Sequence, residues 1–270
     1  MTKPIHRTSL MLVAMAMCTA LYAVGSFATA SIPSPWGFGQ FRPAVIIPSF
    51  FACIFGPIPA AVGAAVGTLF ADSAKHGTLH IGSLIAAVPG NFVGFYMFGY
   101  IVRKKFSWTR FISASIITLT VSNLIVAFLY VFAYKALYSQ ALLLSPDSLT
   151  LISIGLTIYW FVTMLPFVLL VTPLLIRAVA RAIPNIVPED VRINSLTTEI
   201  PKKSFSLAVA IPGAIMIGIG LATTFTPLGA FTASASKLAS TLMIELMYYI
   251  GGSTLLVIGF AALIRQKMKK

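Results

Sequence analysis

Of the 270 residues, 58% are hydrophobic and only 9% charged, the mean hydropathy is +0.95, and the formal charge is +13. So few charges cannot clothe a water-exposed surface, so the composition excludes an ordinary soluble domain and calls for a surface that faces lipid. The Lys and Arg residues cluster within a few positions of apolar ends and form no basic stripe interleaved with solvent-facing aromatics. That pattern argues against nucleic acid as a partner and for anionic lipid headgroups.

Eight apolar stretches follow in chain order: residues 9–29, 43–57, 59–73, 81–102, 111–137, 150–176, 205–225 and 239–264. They predict an all-α polytopic membrane protein of about eight transmembrane helices. Threaded from a cytoplasmic N-terminus, the inner segments carry 15 of the Lys and Arg residues, and the outer segments only Arg42, Lys75, Lys135 and Lys237. The positive-inside rule then places both termini in the cytoplasm of a plasma-membrane protein. The first stretch has a basic start but the length of a full span, and seven more follow, so it is expected to be kept rather than cleaved.

The first stretch has a small-residue side of Ser9, Ala16, Ala20 and Ala23. The loop after it reads Ser31-Ile32-Pro33-Ser34-Pro35-Trp36-Gly37-Phe38-Gly39-Gln40-Phe41-Arg42-Pro43. Trp36, Phe38 and Phe41 can stack on a flat organic ligand, with Gln40 and Arg42 as polar donors beside them. The competing reading is an aromatic belt at headgroup level. The second stretch holds Pro43 and Pro48 and closes on Gly56-Pro57-Ile58-Pro59, so it is expected to be short or kinked and covered by other helices.

In the third stretch Gly63, Gly67 and Ala71 recur at four-residue spacing, the pattern for close helix approach. Asp72 ends it, followed by Lys75, His76, Thr78 and His80; Asn91 lies in the fourth stretch, after Pro89 and Gly90. Asp72 and Asn91 are candidates to line an outward pocket beneath the Trp36 loop, although Asp72 can equally serve as a strut paired with Arg42 or Lys75. Cys18 and Cys53 sit in apolar runs without CxxC spacing and read as core residues. Residues 183–203 turn polar and form the best internal boundary, dividing a core of residues 1–182 from a helix pair at 204–270. Glu245 lies within the last stretch, where a snorkelling position and a functional contact both remain open.

No HExxH, GxSxG, GxxxxGK[ST] or GxGxxG occurs, and His6, His76 and His80 assemble no metal motif. The reading is therefore a non-enzyme without metal or cofactor, and any ATP-driven step has to come from another subunit.

The run Phe41-Arg42-Pro43-Ala44-Val45-Ile46-Ile47-Pro48, then Phe55-Gly56-Pro57, the segment Gly63 to Asp72, and Pro89-Gly90-Asn91-Phe92-Val93-Gly94 resemble the S components of energy-coupling factor transporters. The resemblance spans roughly residues 9–182. It implies a six-helix core that captures a vitamin or related micronutrient near the outer side, under the loop joining helices one and two. It also implies two partners: a transmembrane coupling subunit and a pair of ATP-binding subunits. On the same grounds Ala16 and Ala20 would dock the coupling subunit, since in the family a small-residue face on helix one does so. The final helix pair departs from the family pattern.

Two other classes compete. A stand-alone secondary transporter would need buried carboxylates, for which only Asp72 and Glu245 qualify, and the Pro-rich second stretch has no twin in residues 205–264. A lipid-modifying membrane enzyme would have to use His76, His80 and Asp72.

Overall fold

A computed structural model describes residues 4–32, 34, 39–227 and 241–267, and among these the protein is an all-α polytopic membrane protein. Helix α1 spans Pro4–Ala28; a 3-10 turn, Pro43–Val45, leads into α2, Ile46–Phe55; α3 is Pro57–His76. A π-helical turn, Ser83–Ala87, opens α4, Val88–Arg103. Helix α5, Trp108–Phe128, widens into a π-helical end at Leu129–Tyr138, and α6 is Pro146–Ala182. The short helix α7, Glu189–Thr197, precedes α8, Lys202–Phe225, and α9, Thr241–Lys267.

Among the described residues, six helical segments are long and apolar enough to cross a membrane: Thr8–Ala28, Ser83–Arg103, Trp108–Tyr138, Pro146–Ala182, Lys202–Phe225 and Glu245–Ile264. The other two expected spans are α2 and α3. The stretch Pro43–Phe55 is apolar but short. Helix α3 has 20 residues, yet its Gly and Ala content and its polar end of Asp72, Lys75 and His76 dilute its hydropathy. It tolerates this because α1 and α4 cover it, leaving Gly63, Ala64, Gly67, Thr68 and Ala71 buried.

The reversal between α2 and α3 turns on Gly56, whose φ of 89° suits a residue without a Cβ, and Pro57 then starts α3 where its missing N–H costs nothing. The predicted small-residue stripe faces α1. A Cβ on Gly67 would lie 2.8 Å from the backbone oxygen of Thr19, and one on Gly63 would strike Cys18. Lipid offers no hydrophobic drive between helices, so this close approach supplies the packing instead. The α4–α5 seam adds hydrogen bonds: Thr118 Oγ1 donates to the Gly94 carbonyl at 3.0 Å and Ser122 Oγ to that of Gly90 at 2.9 Å.

At the opposite end from Asp72, residues 183–203 are folded onto the core rather than slung between units. The Asp190 carboxylate accepts the Phe106 N–H at 2.8 Å, Trp108 Nε1 donates to the Thr198 carbonyl at 3.1 Å, and Arg177 Nε donates to Ser195 O at 3.0 Å. Helices α8 and α9 pack chiefly on each other, with α8 also touching α5 and α6. Their backbones cross at Gly213 and Gly252, where a Cβ on Gly252 would stand 2.8 Å from the Gly213 oxygen. Along α1, Ala14, Cys18 and Tyr22 are buried, whereas Ala16 and Ala20 are exposed on the face that also carries Leu12, Val13 and Met17.

A side chain at Gly67 has to push on backbone, which cannot swing aside. Gly67→Val is expected to lower stability by about 1–3 kcal/mol. Gly218→Ala, where nothing lies within 4 Å, should leave it nearly unchanged. Thermal unfolding of the two variants in the same detergent checks the contrast.

Candidate functional site

The site forms where the loop after α1 meets the ends of α3 and α5. Arg42 is buried and its Nη2 lies 2.7 Å from Asp72 Oδ1, while Nη1 donates to Thr68 Oγ1. Gln40 Nε2 donates to the same Asp72 oxygen at 3.1 Å, and the Ser83 hydroxyl donates to Asp72 Oδ2. The carboxylate thus accepts from three side chains on two chain segments, the loop and the π-helical turn. Only such saturation makes a buried ion pair tolerable, because each ion has given up its water.

A second layer radiates from Gln40. Its Oε1 accepts from Lys75 Nζ at 3.0 Å, and the same ammonium donates to the Ala30 carbonyl at 2.6 Å. The Gln40 backbone carbonyl accepts the indole N–H of Trp160, on α6, at 3.0 Å. Gly39 permits that contact twice over: its φ is 75°, and a Cβ there would stand 2.6 Å from the Trp160 ring. Backbone bonds from Ser34 N to Gly39 O and from Phe41 N to Ile32 O, at 3.0 and 2.9 Å, tie the two limbs of the loop together.

His76 and His80 stack with centroids 4.1 Å apart, and His80 Nδ1 accepts the Ser83 N–H at 3.0 Å. Burial, then the neighbouring His76 and the Lys135 and Lys75 ammoniums, hold the His80 pKa below the ordinary imidazole range against the pull of Asp72, which keeps the ring neutral at pH 7.

These groups enclose a cavity of about 390 Å³ lined by both polar and apolar side chains. Gln40, Arg42, Asp72 and Asn91, all expected from the sequence, line it. Phe41 is not among its lining residues; its ring meets Phe167 edge-on at 5.5 Å. Trp36 and Phe38 lie outside the described residues. The structure adds Tyr22, Ser83, Asn123, Tyr130, Lys135 and Trp160 to the lining, none of which sequence reasoning had placed there. Asn123, an amide in the middle of an apolar run, and Lys135, a cation at the end of one, carried a signal that was available. Tyr22 and Trp160 did not, since aromatics in spans are ordinary.

The chain is thus a helical membrane bundle with a cavity of mixed polar and apolar lining at one end, bordered by the buried Arg42–Asp72 pair. A protein-family model described as ECF-type riboflavin transporter, S component, matches residues 7–181, and the chain belongs to this family. It is thus a substrate-binding membrane subunit of a transporter. No curated protein and no solved structure matches the chain.

Substitutions in the buried pair test whether it serves structure alone or also cargo. Asp72→Asn leaves the Arg42 guanidinium buried without a counter-ion and should cost about 3–5 kcal/mol of stability. The double variant Arg42→Met with Asp72→Leu should recover most of that loss yet bind no cargo, measured by thermal unfolding beside ligand titration. Full binding by the stable double variant would make the pair a strut only.

Proposed function

We propose that the protein is the substrate-capture subunit of an ATP-driven energy-coupling factor importer for a vitamin or related small organic micronutrient. The observation that carries this reading is the cavity beneath the α1–α2 loop, with its floor set by Arg42 and Asp72 and its walls by α4, α5 and α6. Riboflavin, the compound in the family description, is the first ligand to test. Gln40, Arg42, Asp72 and Asn91 orient the cargo, Trp160 and Tyr130 offer ring faces, and Trp36, Phe38 and Phe41 remain candidates from the loop sequence.

In this reading α2 and α3 complete an eight-helix membrane body, with residues 1–182 as the binding core and 204–270 as an added pair beyond the folded 183–203 connection. Both termini lie in the plasma membrane's cytoplasmic side, because the Lys- and Arg-rich turns gather at the end away from the cavity. Energy comes from a pair of ATP-binding subunits through a transmembrane coupling subunit, which docks on the open small-residue face of α1 at Ala16 and Ala20. Residues that small let a partner helix approach closely. A stand-alone secondary transporter fits less well, since Asp72 is already neutralised by Arg42 and Glu245 does not line the cavity.

Ala16→Trp is expected to abolish ATP-dependent uptake in cells while leaving cargo binding to the purified subunit intact. Purification from native membranes should bring down the coupling subunit with the ATP-binding pair for the wild type and lose them for the variant. Proton-driven uptake with no co-purified ATPase would instead support the secondary transporter.

A further inference from the structure

Resting on the capture-subunit reading, we propose that the cargo is an organic anion whose carboxylate or phosphate is received by Lys135. Three cations line the cavity, Arg42, Lys75 and Lys135, against one carboxylate, Asp72. The other five acidic residues of the chain, Asp147, Glu189, Asp190, Glu199 and Glu245, do not line it, and residues 33–38 of the loop carry no charged side chain.

The charges then sort by partner. Arg42 and Asp72 neutralise each other, and their remaining valences go to Thr68, Gln40 and Ser83. Lys75 is anchored by two neutral oxygens, the Ala30 carbonyl and Gln40 Oε1, which fix its position without cancelling its charge. Lys135 is half-buried, and its ammonium sits 5.7 Å from the Tyr130 ring centroid and 5.5 Å from that of Tyr134. Among the described residues no carboxylate pairs with it and no oxygen accepts from it. Its three donors are therefore left for something that enters the cavity.

A half-buried ammonium without a counter-ion is poorly solvated, a cost that an entering anion relieves and a neutral ligand does not. An ammonium is a point charge on a flexible stem, so it takes either a carboxylate or a phosphate. Tyr130, which lies beside Lys135, and Trp160 are the lining rings that offer flat faces for the body of the same molecule.

The test titrates the full-length chain in lipid nanodiscs with two neutral and anionic pairs, riboflavin against riboflavin 5′-phosphate and biotinamide against biotin. The anionic member of at least one pair should bind about tenfold or more tighter than its neutral partner, the low end for a charge-assisted hydrogen bond. Which pair responds separates phosphate from carboxylate. Lys135→Gln should shrink that preference to about twofold or less, and Lys135→Arg should keep it. Neutral members binding as tightly as the anionic ones, or a preference untouched by Lys135→Gln, would overturn the anion reading while leaving the capture subunit standing. Absence of binding by all four compounds would overturn the anion reading, and the capture reading falls with it only if native purification also brings down no coupling subunit.

Discussion

The ion pair between Arg42 and Asp72 is the constraint on which the cavity depends. Taking both charges out of water is tolerable only if every lone pair and proton finds a partner, and the required partners are scattered: Thr68 on α3, Gln40 in the loop, Ser83 at the π turn. Satisfying the pair therefore fixes three chain segments with respect to one another. Through Gln40 the constraint extends to Lys75 and to Trp160 on α6, so the loop that closes the cavity is tied to the opposite wall by the same residue that helps neutralise its floor.

Small residues make this arrangement reachable. Gly63 and Gly67 let α3 lie directly on the backbone of α1, and Gly90 and Gly94 let α4 meet α5 closely enough for hydroxyl groups to bond across the seam. Had the seams been wider, Asp72 would stand away from the α1–α2 loop and Asn91 away from the cavity it lines. The opposite end is held in a different way, by α7, whose Asp190 and neighbouring carbonyls clasp the start of α5 and the end of α6. Both ends of the core are thus tied together by hydrogen bonds between separate chain segments. On the side of α1 turned away from α3, Ala16 and Ala20 stay open, and the α8–α9 pair leans mainly on itself, touching the core through α8.

Much of this was legible in the chain. The apolar stretches foretold membrane helices, because hydrocarbon demands long runs without charge. The Gly63, Gly67, Ala71 spacing announced a close helix contact, and the Pro-rich second stretch announced a short helix. Gln40, Arg42, Asp72 and Asn91 stood out because polar groups at the edge of or within apolar runs are costly without a role. What the local sequence could not say was which partner each would take: Asp72 had both Arg42 and Lys75 as candidates, and it pairs with Arg42, thirty residues away, while Lys75 turns to Gln40 and Ala30.

The sequence by itself determined the solvent, the helices and the family, since these rest on composition, periodicity and short-range motifs that need no knowledge of neighbours. Only the tertiary structure decided that α3 is shielded enough to stay rich in small and polar residues, that residues 183–203 fold against the core, and that Phe41 packs on Phe167. It alone decided that Lys135, from the far end of α5, joins the cavity of Arg42 and Asp72. The reason is physical: burial and charge pairing depend on which helices become neighbours, and that is a property of the packed bundle rather than of any one segment.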